Sequence, residues 1–272
     1  AVTLRTGPAD VTVGRQAISW GISTLFPVAD LWARFSPFEL DTEEKPGSDA
    51  VRVLSYPWRG VELDAVAAAR GRADDWSAGL RGSVDLPAAD LYAAAGKFWN
   101  EVIAMAGVVW VLDQVKLRLE GALPYDLDLD DWQRVRATAG ADWLSSRVTV
   151  TGEYHLNGIG AADPGGYLAT LADPRLRRGE TYYLGQHYLG GAFSWTADEE
   201  ERLTLAASAL WNVEDGSAVA TPLVSYDFGQ STSVSLGAVV SFGATPTVVP
   251  PGLRSEFGTY GDLGFTRVSV YF

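Results

Sequence analysis

The residues of this chain whose types and spacing could do chemistry are arginines, a lysine and carboxylates set two apart. Lys116, Arg118 and Glu120 alternate with Val115, Leu117 and Leu119. Arg134, Arg136 and Asp142 alternate with Val135, Ala137, Ala141 and Trp143, and Arg147, Glu153 and His155 alternate with Val148, Val150, Tyr154 and Leu156. Arg81, Arg202, Asp227 and Arg267 occupy similar positions on more weakly charged stretches. Arginine forks grip carboxylate and phosphate groups bidentately, so one reading is a track for an anionic solute. The other is a cross-strand network in which Glu120, Asp142 and Glu153 neutralise Lys116, Arg118, Arg134, Arg136 and Arg147 and brace a wall. The second is favoured, because the opposite charges stand on the same three segments.

Other chemistry finds little support. His155 and His187 are the two histidines. A covalent mechanism needs a nucleophile beside a positioned base, and neither histidine has an evident Ser and Asp pairing. Without cysteine there is no thiolate metal site or disulfide framework. The run Asp126-Leu127-Asp128-Leu129-Asp130-Asp131 lacks the glycine turn and distal glutamate of a calcium-binding hand loop, and reads as solvated. No catalytic residue, metal or cofactor is expected. A net charge of -13 excludes a nucleic-acid partner, since phosphate binding needs a basic face.

The elements that position these charges follow from the alternation. One apolar and one charged face is the pattern of an extended strand. The 272 residues are 47% hydrophobic, yet no run of about 18 apolar residues offers a membrane helix. Fifteen candidate strands lie near residues 1–7, 11–21, 50–58, 61–70, 77–86, 91–99, 102–112, 115–125, 134–143, 147–156, 185–197, 202–212, 221–228, 233–242 and 265–272. Most approach the nine to eleven residues, roughly, of a tilted bilayer-crossing strand, rather than the roughly five or six of a soluble sandwich. Short turns follow odd strands, and the long loops 22–49, 158–184 and 243–263 follow even ones. Membrane barrels show this asymmetry, with tight periplasmic turns and long extracellular loops. Trp58, Trp76, Trp99, Trp132, Trp143, Trp195 and Trp211 fall near strand ends, at the level of interfacial girdles.

The sequence therefore predicts an all-β chain, a transmembrane antiparallel β-barrel of about 16 strands, between about 14 and about 18. It forms one domain over residues 1–272. Fifteen strands would leave the first and last parallel, so at least one further strand is expected before Ala1. Loop 22–49 is a candidate to fold inward as a constriction, burying Leu25, Phe26, Leu31, Trp32, Phe35 and Phe38.

The chain ends Phe265-Thr266-Arg267-Val268-Ser269-Val270-Tyr271-Phe272. With Val268, Val270 and Phe272 on one face, this resembles the C-terminal assembly signal of Gram-negative outer-membrane proteins. A second resemblance is to a group of porin-like barrels, carried by Gly14-Arg15-Gln16-Ala17-Ile18-Ser19-Trp20-Gly21, Pro27-Val28-Ala29-Asp30-Leu31 and Lys45-Pro46-Gly47-Ser48-Asp49-Ala50-Val51-Arg52. These resemblances imply a multi-pass protein of the bacterial outer membrane. Its partners would be the lipid bilayer, lipopolysaccharide and the barrel-assembly machinery. The expected function is a pore for passive diffusion of small polar or charged solutes, since so many strands leave an aqueous channel. A dedicated channel for an acidic oligosaccharide or other anion, and a plugged structural barrel, are the alternatives.

Overall fold

The alternation becomes sheet throughout. The computed structural model describes residues 1–32, 47–69, 76–229, 231–247 and 252–270. Its strands are β1 Val2–Thr6, β2 Ala9–Gln16, β3 Ser48–Trp58, β4 Val61–Ala68, β5 Ser77–Asp85, β6 Ala89–Phe98, β7 Glu101–Leu112 and β8 Val115–Asp126. There follow β9 Asp131–Trp132, β10 Arg136–Leu144, β11 Val148–Leu156, β12 His187–Thr196, β13 Leu203–Asn212, β14 Ala218–Asp227, β15 Thr232–Phe242 and β16 Leu263–Val270. Two short helices, α1 Tyr167–Ala172 and α2 Pro174–Arg177, lie between β11 and β12. All sixteen strands belong to one sheet in sequence order, except that the two-residue β9 pairs with β8 off that path. The all-β expectation holds, and the alternating segments correspond one to one with the strands on the path.

The strands fall in two compact units. The first comprises Ala1–Leu112, Leu117–Ala139 and Pro174–Tyr182, and the second Asp113–Lys116, Gly140–Asp173 and Tyr183–Phe272.

In the first unit the ladder is antiparallel, with Val13 opposite Val51, Val53 opposite Ala65 and Val84 opposite Leu91. Register slips between Ser55 and Trp58 on β3. Pro57 sits in that interval and has no N–H to give the ladder, which is why a bulge forms there. The two faces are inverted relative to a soluble protein. On β8, Arg118, Glu120, Ala122 and Asp126 are buried while Leu119 and Leu123 are exposed. On β6, Tyr92, Ala94 and Phe98 are buried and Leu91 is exposed.

The second unit repeats the inversion. Thr151, Glu153 and His155 of β11 are buried, and Val150 and Tyr154 of the same strand are exposed. The ladder aligns the outer residues in rows: Val150 faces Phe193, Trp195 faces Leu205, Leu205 faces Val224, and Val224 faces Leu236. Such a row of apolar side chains facing outward, without an overlying layer, suits a hydrocarbon solvent.

Two sequence expectations are corrected. The second strand does not run to Gly21 but ends at Gln16. Residues 17–23 continue the alternation, yet 17–32 leave the sheet and pack against its buried face. The inter-strand connections accordingly span 17–47, 157–186 and 243–262. Of the girdle residues, Trp58, Trp76, Trp132, Trp143, Trp195 and Trp211 are exposed, whereas Trp99 is buried, turned inward at a positive φ of 54°. Phe35, Phe38 and Phe272 lie outside the described residues.

Candidate functional site

The charged residues singled out from the sequence divide by position. Arg118, Glu120, Arg136, Asp142 and Glu153 are buried on the inner face of their strands. Arg81, Lys116 and Arg267 are half-buried, and Arg81 pairs with Glu62 at 3.3 Å. Arg134, Arg147 and Arg202 stand exposed just outside strands, and Asp227 is exposed at the end of β14. Alternation extrapolated past a strand end assigns a face to residues that the sheet no longer orients. Arg202, for example, pairs with the neighbouring Glu200 at 2.6 Å.

In the first unit, the buried carboxylates hold an inturned segment of chain. Glu120 accepts hydrogen bonds from the Ile22 amide at 2.8 Å, the Val28 amide at 2.6 Å and the Tyr92 hydroxyl at 3.2 Å. Arg118 donates to the Thr24 hydroxyl at 2.6 Å, and Thr138 donates to the Phe26 carbonyl at 2.7 Å. Asp30 folds the segment on itself, accepting from the Ser19 hydroxyl and from the amides of Trp20 and Gly21. The apolar side chains then have a core of their own. Trp20 and Trp32 meet edge to face at 5.3 Å, and Trp32 meets Phe98 at 4.8 Å. Gly79 is required beside them, because a Cβ there would lie 2.8 Å from the Trp20 ring.

A second stretch, 174–182, is held in the same unit by arginines. Arg175 donates to Glu101 at 2.6 Å and to Asp126 at 3.1 Å. Arg178 donates to Asn100 at 2.6 Å and lies over the Trp99 ring at 5.5 Å. Arg136 reaches the Glu180 carbonyl at 3.1 Å and its carboxylate at 3.7 Å. Burial pushes the Glu180 carboxyl above its ordinary value and nearby Glu101 adds to this, while Arg136, Arg175 and Arg178 oppose it. Arg136 thus finds a carboxylate from a distant connection. Glu101, Arg175, Arg178 and Glu180 escaped the sequence reading, since nothing local marks residues 174–182 as returning to the wall.

The second unit has its own polar cluster. Asp142 accepts from the Thr151 hydroxyl at 2.8 Å across the β10–β11 pair. Gly140 leaves room for Glu153, whose Cγ would lie 2.7 Å from a Cβ at that position. Farther along, Glu256 is gripped by Tyr188, Asn212 and the Leu184 amide, and Asp215 by Tyr167 and the Glu256 amide. Burial and the adjacent Asp215 raise the Tyr167 hydroxyl well above the ordinary tyrosine value. His155 packs against Tyr183 and Tyr188, while His187 bonds Tyr154 at 2.6 Å on the opposite, exposed face. The two histidines therefore do not share a site. Among the described residues, no group of three His, Cys, Asp or Glu is placed to hold a metal ion.

An antiparallel sheet of sixteen strands, charged on its buried face and apolar on its exposed one, is the strand arrangement of porin-like β-barrels. Solved structures share the fold. The outer membrane protein OprD from Pseudomonas aeruginosa superposes with a TM-score of 0.62 at 9% identity, over 99% of this chain and 76% of that one. Pseudomonas aeruginosa OccK3 (OpdO) gives 0.62 at 14% identity over 97% and 78% of the two chains. Acinetobacter baumannii OccAB4 gives 0.59 at 8% identity over 98% and 73%. No protein-family profile matches the chain. No protein of curated function is similar to it in sequence.

Proposed function

We propose that this chain spans the bacterial outer membrane and passes small polar solutes by diffusion, with the exposed face in lipid and the buried face lining the passage. The inversion of the faces carries the reading. Arg136, Glu120, Asp142 and Glu153 are shielded from solvent while Val150, Phe193, Leu236 and Leu119 are not. In water that arrangement would waste the hydrophobic driving force, which is worth about 25 cal/mol for each Å² of apolar surface buried. In hydrocarbon it is the stable one. Lipopolysaccharide against the long-connection end and the barrel-assembly machinery acting on Val268, Val270 and Phe272 belong to the same reading.

Residues 17–32, which include the start of loop 22–49, act as a fixed constriction, since wall side chains hold the segment at Ile22, Thr24, Phe26 and Val28. The same observation favours a second reading, a plugged structural barrel. A dedicated anion track is less favoured, because Arg136 is engaged by Glu180 and is only 1% exposed. Single-channel recording in planar bilayers separates these readings. Stepwise conductance is expected from folded, heat-modifiable protein. Silence from such protein would leave the plugged reading.

A further inference from the structure

Glu256 opens the short turn Phe257–Thr259 in the connection 243–262 and is 1% exposed. Its Oε2 accepts from the Tyr188 hydroxyl of β12 at 2.5 Å and from the Asn212 amide of β13 at 2.7 Å. Its Oε1 accepts from the Leu184 amide at 3.0 Å. Its own amide donates to Asp215 at 2.7 Å, and Asp215 also accepts from the Tyr167 hydroxyl of α1 at 2.8 Å. The Glu256 side chain therefore ties the 243–262 connection to two strand ends and the 157–186 connection, and its backbone amide adds the 213–217 turn, all within the second unit.

The ionisable groups facing it are Asp215 from that turn, Tyr167 from α1, Tyr188 from β12 and Tyr260 from its own connection. His155 of β11 reaches the cluster through the Tyr188 ring, 6.3 Å away between centroids. Among the described residues no arginine or lysine pairs with Glu256. A buried carboxylate without a cation is costly to ionise, and Asp215 beside it makes ionisation costlier.

We propose that Glu256 is a proton-dependent clamp, seating residues 252–261 on the second unit when protonated and letting them lift when ionised. The consequence for solute passage rests on the channel reading, whereas the clamp itself does not. Burial raises the Glu256 carboxyl to about 7, although Tyr188, Leu184 and Asn212 all donate to it and pull the other way. In a lifted segment the group returns to its ordinary 4.5. The seated form therefore holds its proton longer. The clamp is complete below the ordinary value, weakens roughly tenfold for each pH unit up to about 7, and is level above that.

The test is hydrogen exchange by mass spectrometry on the full folded chain, corrected for the intrinsic pH dependence of exchange. Protection across 252–261 should fall between pH 5 and pH 7 and then level off. Glu256→Gln should abolish that fall. Tyr188→Phe removes a donor to the carboxylate and should move the levelling point up, and Asp215→Asn should move it down. These two variants carry the test if Glu256→Gln does not fold. A native chain with pH-independent protection overturns the clamp, as does a fall that survives Glu256→Gln or disappears instead in His155→Gln. A chain that shows the clamp but carries no current would refute the channel reading alone.

Discussion

The Trp20 indole N–H donates to the Asp64 carboxylate at 2.8 Å, joining the inturned segment to strand β4 across 44 residues of sequence. Asp64 is also gripped by Arg52 through two hydrogen bonds, at 2.9 and 2.8 Å. The carboxylate is therefore fixed by the wall before it receives the indole. Asp64→Ala should free Trp20 at a cost of about 1.5–3 kcal/mol, the range for hydrogen bonds to charged groups. The expected result is faster proteolysis within 17–32 and a larger unitary conductance. An unchanged conductance with confirmed loosening would remove this segment from the passage.

Tryptophan exposure gives a direct test of which face meets lipid. Trp110, Trp143, Trp195 and Trp211 are exposed, whereas Trp20 and Trp32 are buried. In single-tryptophan variants reconstituted with brominated lipid, the first four should be quenched and the last two should not. Quenching of Trp20 with sparing of Trp195 would reverse the assignment of the faces. Ala207→Arg, on the outer row of β13 opposite Pro222, should cost about 2–4 kcal/mol if that position lies near the bilayer midplane.

Strands were legible because one residue type per face repeats every second position, and neither partner nor loop has to be known. Ile18, Ser19 and Trp20 show where that signal fails. They alternate as a strand would, but Asp30 satisfies the Trp20 and Gly21 amides that a neighbouring strand would otherwise have taken. The buried face was legible in Glu120, Arg136 and Glu153, while their partners were not. The Ile22 and Val28 amides lie 98 and 92 residues from Glu120, and the Glu180 carbonyl 44 from Arg136. Contacts that distant leave no local pattern.

Removing Arg136 should be more damaging than its place on the wall suggests. Arg136→Ala takes one cation from the buried Glu180, leaving Arg178 at 3.8 Å and Glu101 nearby, and breaking a buried pair costs at most about 3–5 kcal/mol. Adding Glu180→Gln should recover much of that loss. Equal thermal stability of the single and double variants would show that the pair does not act as one.

Val268 and Val270 are exposed on β16, with Phe272 two residues beyond, on the same alternation. Deleting Phe272 should lower the amount of folded, heat-modifiable protein in the outer membrane without lowering synthesis. Unchanged folded levels would mean that the assembly machinery does not read this residue.

Charge selectivity should follow the exposed charges rather than the buried ones. Arg134 stands exposed a few residues along the chain from Asp128, Asp130 and Asp131, which are exposed as well, whereas Arg136 is buried and bonded to Glu180. At 0.01 M salt the screening length is about 30 Å, so the aspartates dominate the local field and mild cation preference is expected. Arg134→Ala removes the cation opposing them and should shift the reversal potential further toward cations. At 1 M salt screening contracts to about 3 Å, and native and variant should converge. Arg134 is exposed and lies outside a strand, so its loss should leave thermal stability within roughly 0.5 kcal/mol, as for most surface substitutions. A reversal potential unmoved by Arg134→Ala at low salt would place the selectivity elsewhere. A shift that persisted at 1 M would mean that Arg134 touches the permeating ion instead of acting through its field.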